Sequence, residues 1–208
     1  MEQKSETLLD SQLIEKSLER GMSYGDYRKM IATLVLEGAS TGPIQNEELS
    51  NYTLLNDQRM RRLDKTLKIG AETVSKIERV DREITWLVLT ESWCGDAAQT
   101  LPVMNKIANL NNKISLKLLL RDENTELMQR FMANGSMAIP KLIAIDNASG
   151  DIIGEWGSRP SVAAKMVQDQ KDKYGVFTPE FKEELQQWYN KDKGQSTIKD
   201  LLPLLFLE

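Results

Sequence analysis

The feature that most constrains this chain is a strand that runs into a helix across a turn holding its only cysteine. Ile84-Thr85-Trp86-Leu87-Val88-Leu89-Thr90 is an apolar, β-branched run and reads as a strand. Glu91-Ser92-Trp93-Cys94-Gly95-Asp96 interrupts it. From Ala97 to Leu110 the apolar residues Leu101, Met104, Ile107 and Ala108 recur at helical spacing. A thiol at such a turn sits near the positive end of a helix dipole, among backbone N–H groups without helical partners. That setting favours the thiolate, which is the reactive form.

The same alternation continues downstream. Residues 114–120 form a second apolar strand, rich enough to be central. A helix over about 124–133 packs Leu127, Phe131 and Met132. Strands 141–146 and 151–157 flank the turn Asn147-Ala148-Ser149-Gly150. A helix from about Pro160 to Tyr174 closes the unit. The order is βαβαββα, an α/β arrangement.

Trp93-Cys94-Gly95 matches the start of the Trp-Cys-Gly-Pro-Cys motif, and here the chain resembles the thioredoxin-like superfamily. Asp96 stands in the place of the motif proline and Ala97 in that of its second, resolving cysteine. Pro102 falls where thioredoxins carry the proline that bends the active-site helix. Ala138-Ile139-Pro140 falls where they carry a cis-proline facing the cysteine. The resemblance implies a thioredoxin-like fold with a central mixed sheet, an N-terminal helical extension and C-terminal helices. The expected divisions are a helical extension over 1–80, the thioredoxin-like core over 81–175, and helices packed on the core over 176–208.

The first eighty residues carry helical patterns and no catalytic constellation. Residues 7–20 place Leu9, Leu13, Ile14 and Leu18 on one stripe, stopped by Gly21. A second helix starts at Ser23, with Asp26 placed as in a capping box, and buries Tyr24, Tyr27, Met30, Ile31, Leu34 and Val35 up to Gly38. A third, about 47–68, buries Leu49, Tyr52, Leu63 and Leu67; a short fourth, about 71–79, carries Val74 and Ile77. Arg59, Arg61, Arg62 and Lys65 read as a solvated face interrupted by Asp57 and Asp64. At the other end, a helix over about 178–190 starts with a Thr178 cap and Pro179, and buries Phe181, Leu185 and Trp188. A last helix over about 196–206 ends in a leucine-rich tail that packs on the domain or joins a dimer.

Composition narrows the function. A net charge of -4 argues against a nucleic-acid partner, which needs a basic face. No apolar run reaches membrane-spanning length, and residues 1–6 lack an apolar signal core, so the expected location is cytoplasmic with no membrane partner. One cysteine excludes an internal disulfide. The absence of histidine excludes Ser-His and Cys-His pairs and the usual nitrogen ligands of zinc. No metal and no cofactor is expected.

Cys94 is the candidate catalytic residue. Trp93, Gly95, Asp96, Ile139 and Pro140 are the candidate substrate-binding residues. Trp93 offers a flat apolar platform or simply packs, and Pro140 positions a substrate chain or makes a tight turn. Asp96 opposes the helix dipole and disfavours a thiolate, or it caps the helix, the favoured role. Arg159 faces a substrate carboxylate, Asp96 or, the favoured expectation, a surface acid. Val88 occupies the position at which the resemblance places a buried Asp that serves the second cysteine.

The leading expectation is a monothiol protein. Cys94 forms mixed disulfides with protein or low-molecular-weight thiols, and an external thiol resolves them. The alternative is a non-catalytic adaptor that keeps the fold and binds a peptide or protein in the groove by Trp93 and Pro140. A third is a peroxide-reducing or sensing thiol that forms a sulfenic acid at Cys94, with Arg159 or Arg121 as the nearby cation. The sequence leaves the oligomeric state open.

Overall fold

The computed structural model describes residues 12–133 and 135–206. Residues 12–20 are helical (α1), with Ile14 buried. The rest of the helix expected over 7–20, with Leu9, lies outside the described residues. Helix α2 (Tyr24–Glu37) is capped by Ser23, whose Oγ accepts from the Asp26 amide, and ends at a left-handed Gly38. It buries Tyr24, Tyr27 and Ile31, while Met30, Leu34 and Val35 are half-buried.

Helix α3 (Glu47–Thr66) departs from its expected pattern. Its buried stripe is Thr53, Asn56, Asp57, Met60 and Leu63, and the expected Leu49 and Tyr52 are only half-buried. Three polar side chains occupy core positions because each has a partner there. Asp57 is clamped by Arg28 at 2.9 Å and Arg61 at 2.7 Å. The basic group is therefore not a uniform solvated face. Arg61, Arg62 and Lys65 are exposed, but Arg59 is half-buried and turned toward Gly95. A short α4 (Ala71–Glu78) buries Ile77.

The sheet comprises β1 (Ile84–Thr90), β2 (Ile114–Leu120), β3 (Lys141–Asp146) and β4 (Ile152–Gly157), in the order β2-β1-β3-β4. β1 runs parallel to β2 and antiparallel to β3, so Trp86 lies between Leu116 and Ala144. The central strand is thus β1. The strand expected to be central, β2, lies at the edge. Its apolar content has another cause: Met22 exchanges two backbone hydrogen bonds of 2.9 Å with Leu118, and α2 packs against the strand. The β3–β4 turn is closed by the Asp146 carboxylate, which accepts from the amides of Ala148 and Ser149.

Helix α5 (Gly95–Ala108) begins two residues before the expected start, and continues through Pro102. Helix α6 (Thr125–Arg130) stops early; Leu127, Met128 and Phe131 are buried, but Met132 falls beyond the helix and is exposed. Helix α7 (Ser161–Tyr174) ends at a left-handed Gly175. Helix α8 (Pro179–Asp192) has the expected Thr178 cap, but buries Phe181 and Tyr189, with Leu185 and Trp188 half-buried. The single last helix expected over 196–206 is instead α9 (Gln195–Leu201) followed by a 3-10 turn, Leu202–Leu205, which contains Pro203. Leu201 and Leu205 pack into the core; Leu207 lies outside the described residues.

Trp86, Leu87 and Leu89 of β1 and Leu101, Met104 and Ile107 of α5 are fully buried, each contributing about 1.5–3 kcal/mol. Helix α5 is shared: α3 packs on it from the N-terminal extension and α9 from the C-terminal segment. Among the described residues no helix is long and apolar enough to cross a membrane.

Candidate functional site

The end of β1 is fixed by a buried polar knot. Ser92 Oγ accepts the Thr41 amide at 2.9 Å and lies 2.8 Å from the Thr53 hydroxyl. The Ser92 amide donates to Thr41 Oγ1 at 2.8 Å, and its carbonyl accepts from Asn56 Nδ2 at 2.9 Å. Beside it the buried Glu91 accepts the Asp122 amide at 2.9 Å, and burial pushes its carboxyl up. Thr41, Thr53 and Asn56 thus set the position of the turn that carries the thiol.

Cys94 itself is the N-cap of α5. Its Sγ accepts from the Ala97 amide at 3.4 Å and donates to the Ile139 carbonyl at 3.3 Å. The Ile139–Pro140 bond is cis. Asp96, expected to cap the helix, lies inside its first turn instead, because the sulfur already occupies the capping place. Cys94 is 8% exposed, and its thiol is pushed up to about 12, first by burial and then by the Asp96 carboxylate. The Ala97 and Asp96 amides and Arg159 oppose this, but burial wins. The helix N-terminus favours the thiolate as expected, and burial works against it more strongly.

Asp96 is the hub of the second layer. Arg159 Nη2 lies 2.6 Å from Oδ2, and the Tyr189 hydroxyl donates to Oδ1 at 2.9 Å. Arg159 is thus a half-buried partner of Asp96, against the expectation of a surface role. Burial raises the Asp96 carboxyl, while Arg159 and Tyr189 draw it down. Tyr189 went unseen in the sequence because α8 supplies it from 93 positions away.

Trp93, Cys94, Gly95, Asp96 and Ile139 line one cleft of about 550 Å³; Pro140 is buried beside it. The Arg121 guanidinium stacks over Trp93 at 5.0 Å. The opposite wall comes from α7 and α8, with Lys171, Phe177, Phe181 and Lys182. Nothing in the sequence pattern ties those residues to the thiol; chain reversal at Gly175 brings them there. With Ala97 in the place of a second thiol, the arrangement can shelter a neutral Cys94 and accept a ligand over it.

The fold and site define a thioredoxin-fold protein with a single thiol at the start of its first core helix. A family model described as thioredoxin matches residues 42–172, more than half of the chain, and the chain belongs to that family. Two solved structures share the fold. One is a protein of unknown function from Pseudomonas aeruginosa, 16% identical with a TM-score of 0.62, covering 91% of this chain and 94% of that one. The other is an HIV epitope scaffold, 17% identical with a TM-score of 0.56, covering 88% of this chain and 98% of that one. A comparison with curated proteins gives no match.

Proposed function

We propose that this protein is a thioredoxin-fold binding protein whose cleft takes up a polypeptide segment of a partner, with Cys94 held as a neutral thiol at its floor. The state of Cys94 carries this reading. The thiol is buried, bonded to the Ile139 carbonyl and pushed up to about 12, far from the low values that mark exchange-active cysteines. Ala97 offers no resolving sulfur, and the buried Val88 offers no acid behind it.

A second reading, monothiol exchange, is favoured by one observation: Cys94 lines an open cleft. There the Cys94 thiolate attacks a substrate disulfide, a mixed disulfide forms and one substrate thiolate leaves. An external thiolate then attacks the mixed disulfide, releases the second substrate thiol and regenerates Cys94.

The pH dependence of Cys94 alkylation, read by intact mass, separates the two, since the chain has one cysteine. The binding reading expects little labelling below about pH 9, with a rate limited by opening of the fold. An apparent pKa well below about 8.5, with disulfide exchange lost in Cys94→Ser, would overturn it. Ala97→Cys should then create dithiol reductase activity.

A further inference from the structure

The cleft beside Cys94 has a charge at odds with the rest of the chain. The protein carries a net charge of -4. Yet among the described residues the lining holds Arg121, Arg159, Lys171 and Lys182 against one carboxylate, Asp96. Arg159 is committed to Asp96 at 2.6 Å, and Arg121 to Asp122 at 2.7 Å. The two lysines have no carboxylate partner among the described residues. Lys171 stands over the Phe177 ring at 5.5 Å, and Lys182 lies on the exposed side of α8.

The chain reversal next to this wall is apolar beyond what a solvated surface requires. At the α7–α8 reversal Tyr174, Val176 and Phe177 are 56%, 61% and 39% exposed, and Phe177 stacks on the buried Phe181 at 5.7 Å. Lys173 extends the basic edge over the Tyr174 ring at 4.9 Å. On the facing rim Met137 is 39% exposed, a flexible apolar surface that adapts to irregular side chains. An aromatic wall edged by ammonium groups without a carboxylate partner among the described residues is complementary to apolar side chains alternating with carboxylates.

We infer that the occupant of the cleft is an acidic, apolar-containing peptide segment, its carboxylates paired with Lys171 and Lys182 and its apolar side chains on Phe177. This rests on the binding reading above and names the chemistry of the partner. A basic or nucleic-acid ligand would meet like charge or find too small a basic surface, and a second copy would bring an acidic chain of undirected charge.

Fluorescence anisotropy with the full chain tests it. Three labelled peptides of one length are used: Glu alternating with Leu and Phe, and the same peptide with Gln or with Lys in place of Glu. The Glu peptide should bind tightest and weaken as salt is raised. The exposed-site double variant Lys171→Glu/Lys182→Glu should weaken it at least about tenfold and strengthen the Lys peptide. Phe177→Ala should weaken the Glu and Gln peptides alike. Equal binding of the Glu and Gln peptides, unmoved by the double variant, would overturn the acidic specificity and leave the peptide site standing. Failure of all three would overturn the site itself along with it. A dimer on size-exclusion chromatography that dissociates in the double variant would assign the face to a second copy and overturn the proposal.

Discussion

The Tyr189 hydroxyl reaches Asp96 at 2.9 Å from 93 residues further along the chain, tying the C-terminal helices to the carboxylate that neighbours the thiol. Tyr189→Phe removes that donor and leaves the ring. We expect a loss of about 1–2 kcal/mol in urea unfolding, and a further rise of the Asp96 pKa, read by carboxyl NMR titration. An unchanged titration would show that the bond does not hold Asp96.

Asp96 should control the thiol. Its carboxylate is the second cause, after burial, that raises Cys94, while Arg159 lowers it. Asp96→Asn removes the first influence and frees the second, so Cys94 should ionise at lower pH and alkylate faster. Asp96→Asn/Arg159→Gln should restore part of the slow labelling.

The folded-state Cys94 pKa is raised from 9.0 to about 12. The neutral buried thiol therefore contributes stability that is complete below the unfolded pKa, near 9, and is lost as pH rises toward 12. Compared with Cys94→Ser, the wild-type chain should lose about 1.4 kcal/mol more per pH unit above that point. Parallel stability curves for the two proteins would contradict the shift.

Ser92→Ala tests the knot that joins the N-terminal extension to β1. It strands the buried Thr41 amide, which Ser92 Oγ accepts at 2.9 Å, and leaves Thr53 short of a partner. Such a loss costs about 1–3 kcal/mol and should free the 39–43 loop to amide exchange before the core opens.

Gly157→Ala should be the most damaging small change. Gly157 has φ 136°, and an added Cβ would lie 2.2 Å from the Pro140 carbonyl oxygen. Backbone surrounds it, so relief requires moving the strand pair beside the site. We expect a loss above about 3 kcal/mol or failure to accumulate folded protein.

The parts of the fold visible in the sequence are those governed by local pattern. β1, β2 and β3 occupy the expected residues because apolar runs bounded by turn chemistry are local signals. The Thr178 cap and the end of α7 at Tyr174 are legible for the same reason. What stayed hidden depends on contacts between distant segments. Thr53, Asn56 and Asp57 look like the outer face of a helix, and only Ser92 and Arg28 make them core residues. Cys94 stands at the expected turn, while burial opposes the thiolate that the helix terminus favours. The helix terminus is written in the local sequence, whereas burial depends on distant segments such as Ile139, whose carbonyl the thiol meets. Lys171 and Lys182 reach the cleft, and Tyr189 reaches Asp96, only through the reversal of α7 onto α8.

The Met22–Leu118 pairing has a consequence for any shortened form of the protein. The thioredoxin match begins at residue 42, twenty positions after Met22. A fragment trimmed to the matched residues would keep β2 but lose the two backbone bonds that close its outer side. The bared ladder would be a template for a strand of another molecule. The leading segment is therefore also a cap: at Leu118 it occupies the part of the β2 edge on which a strand of another molecule would otherwise pair.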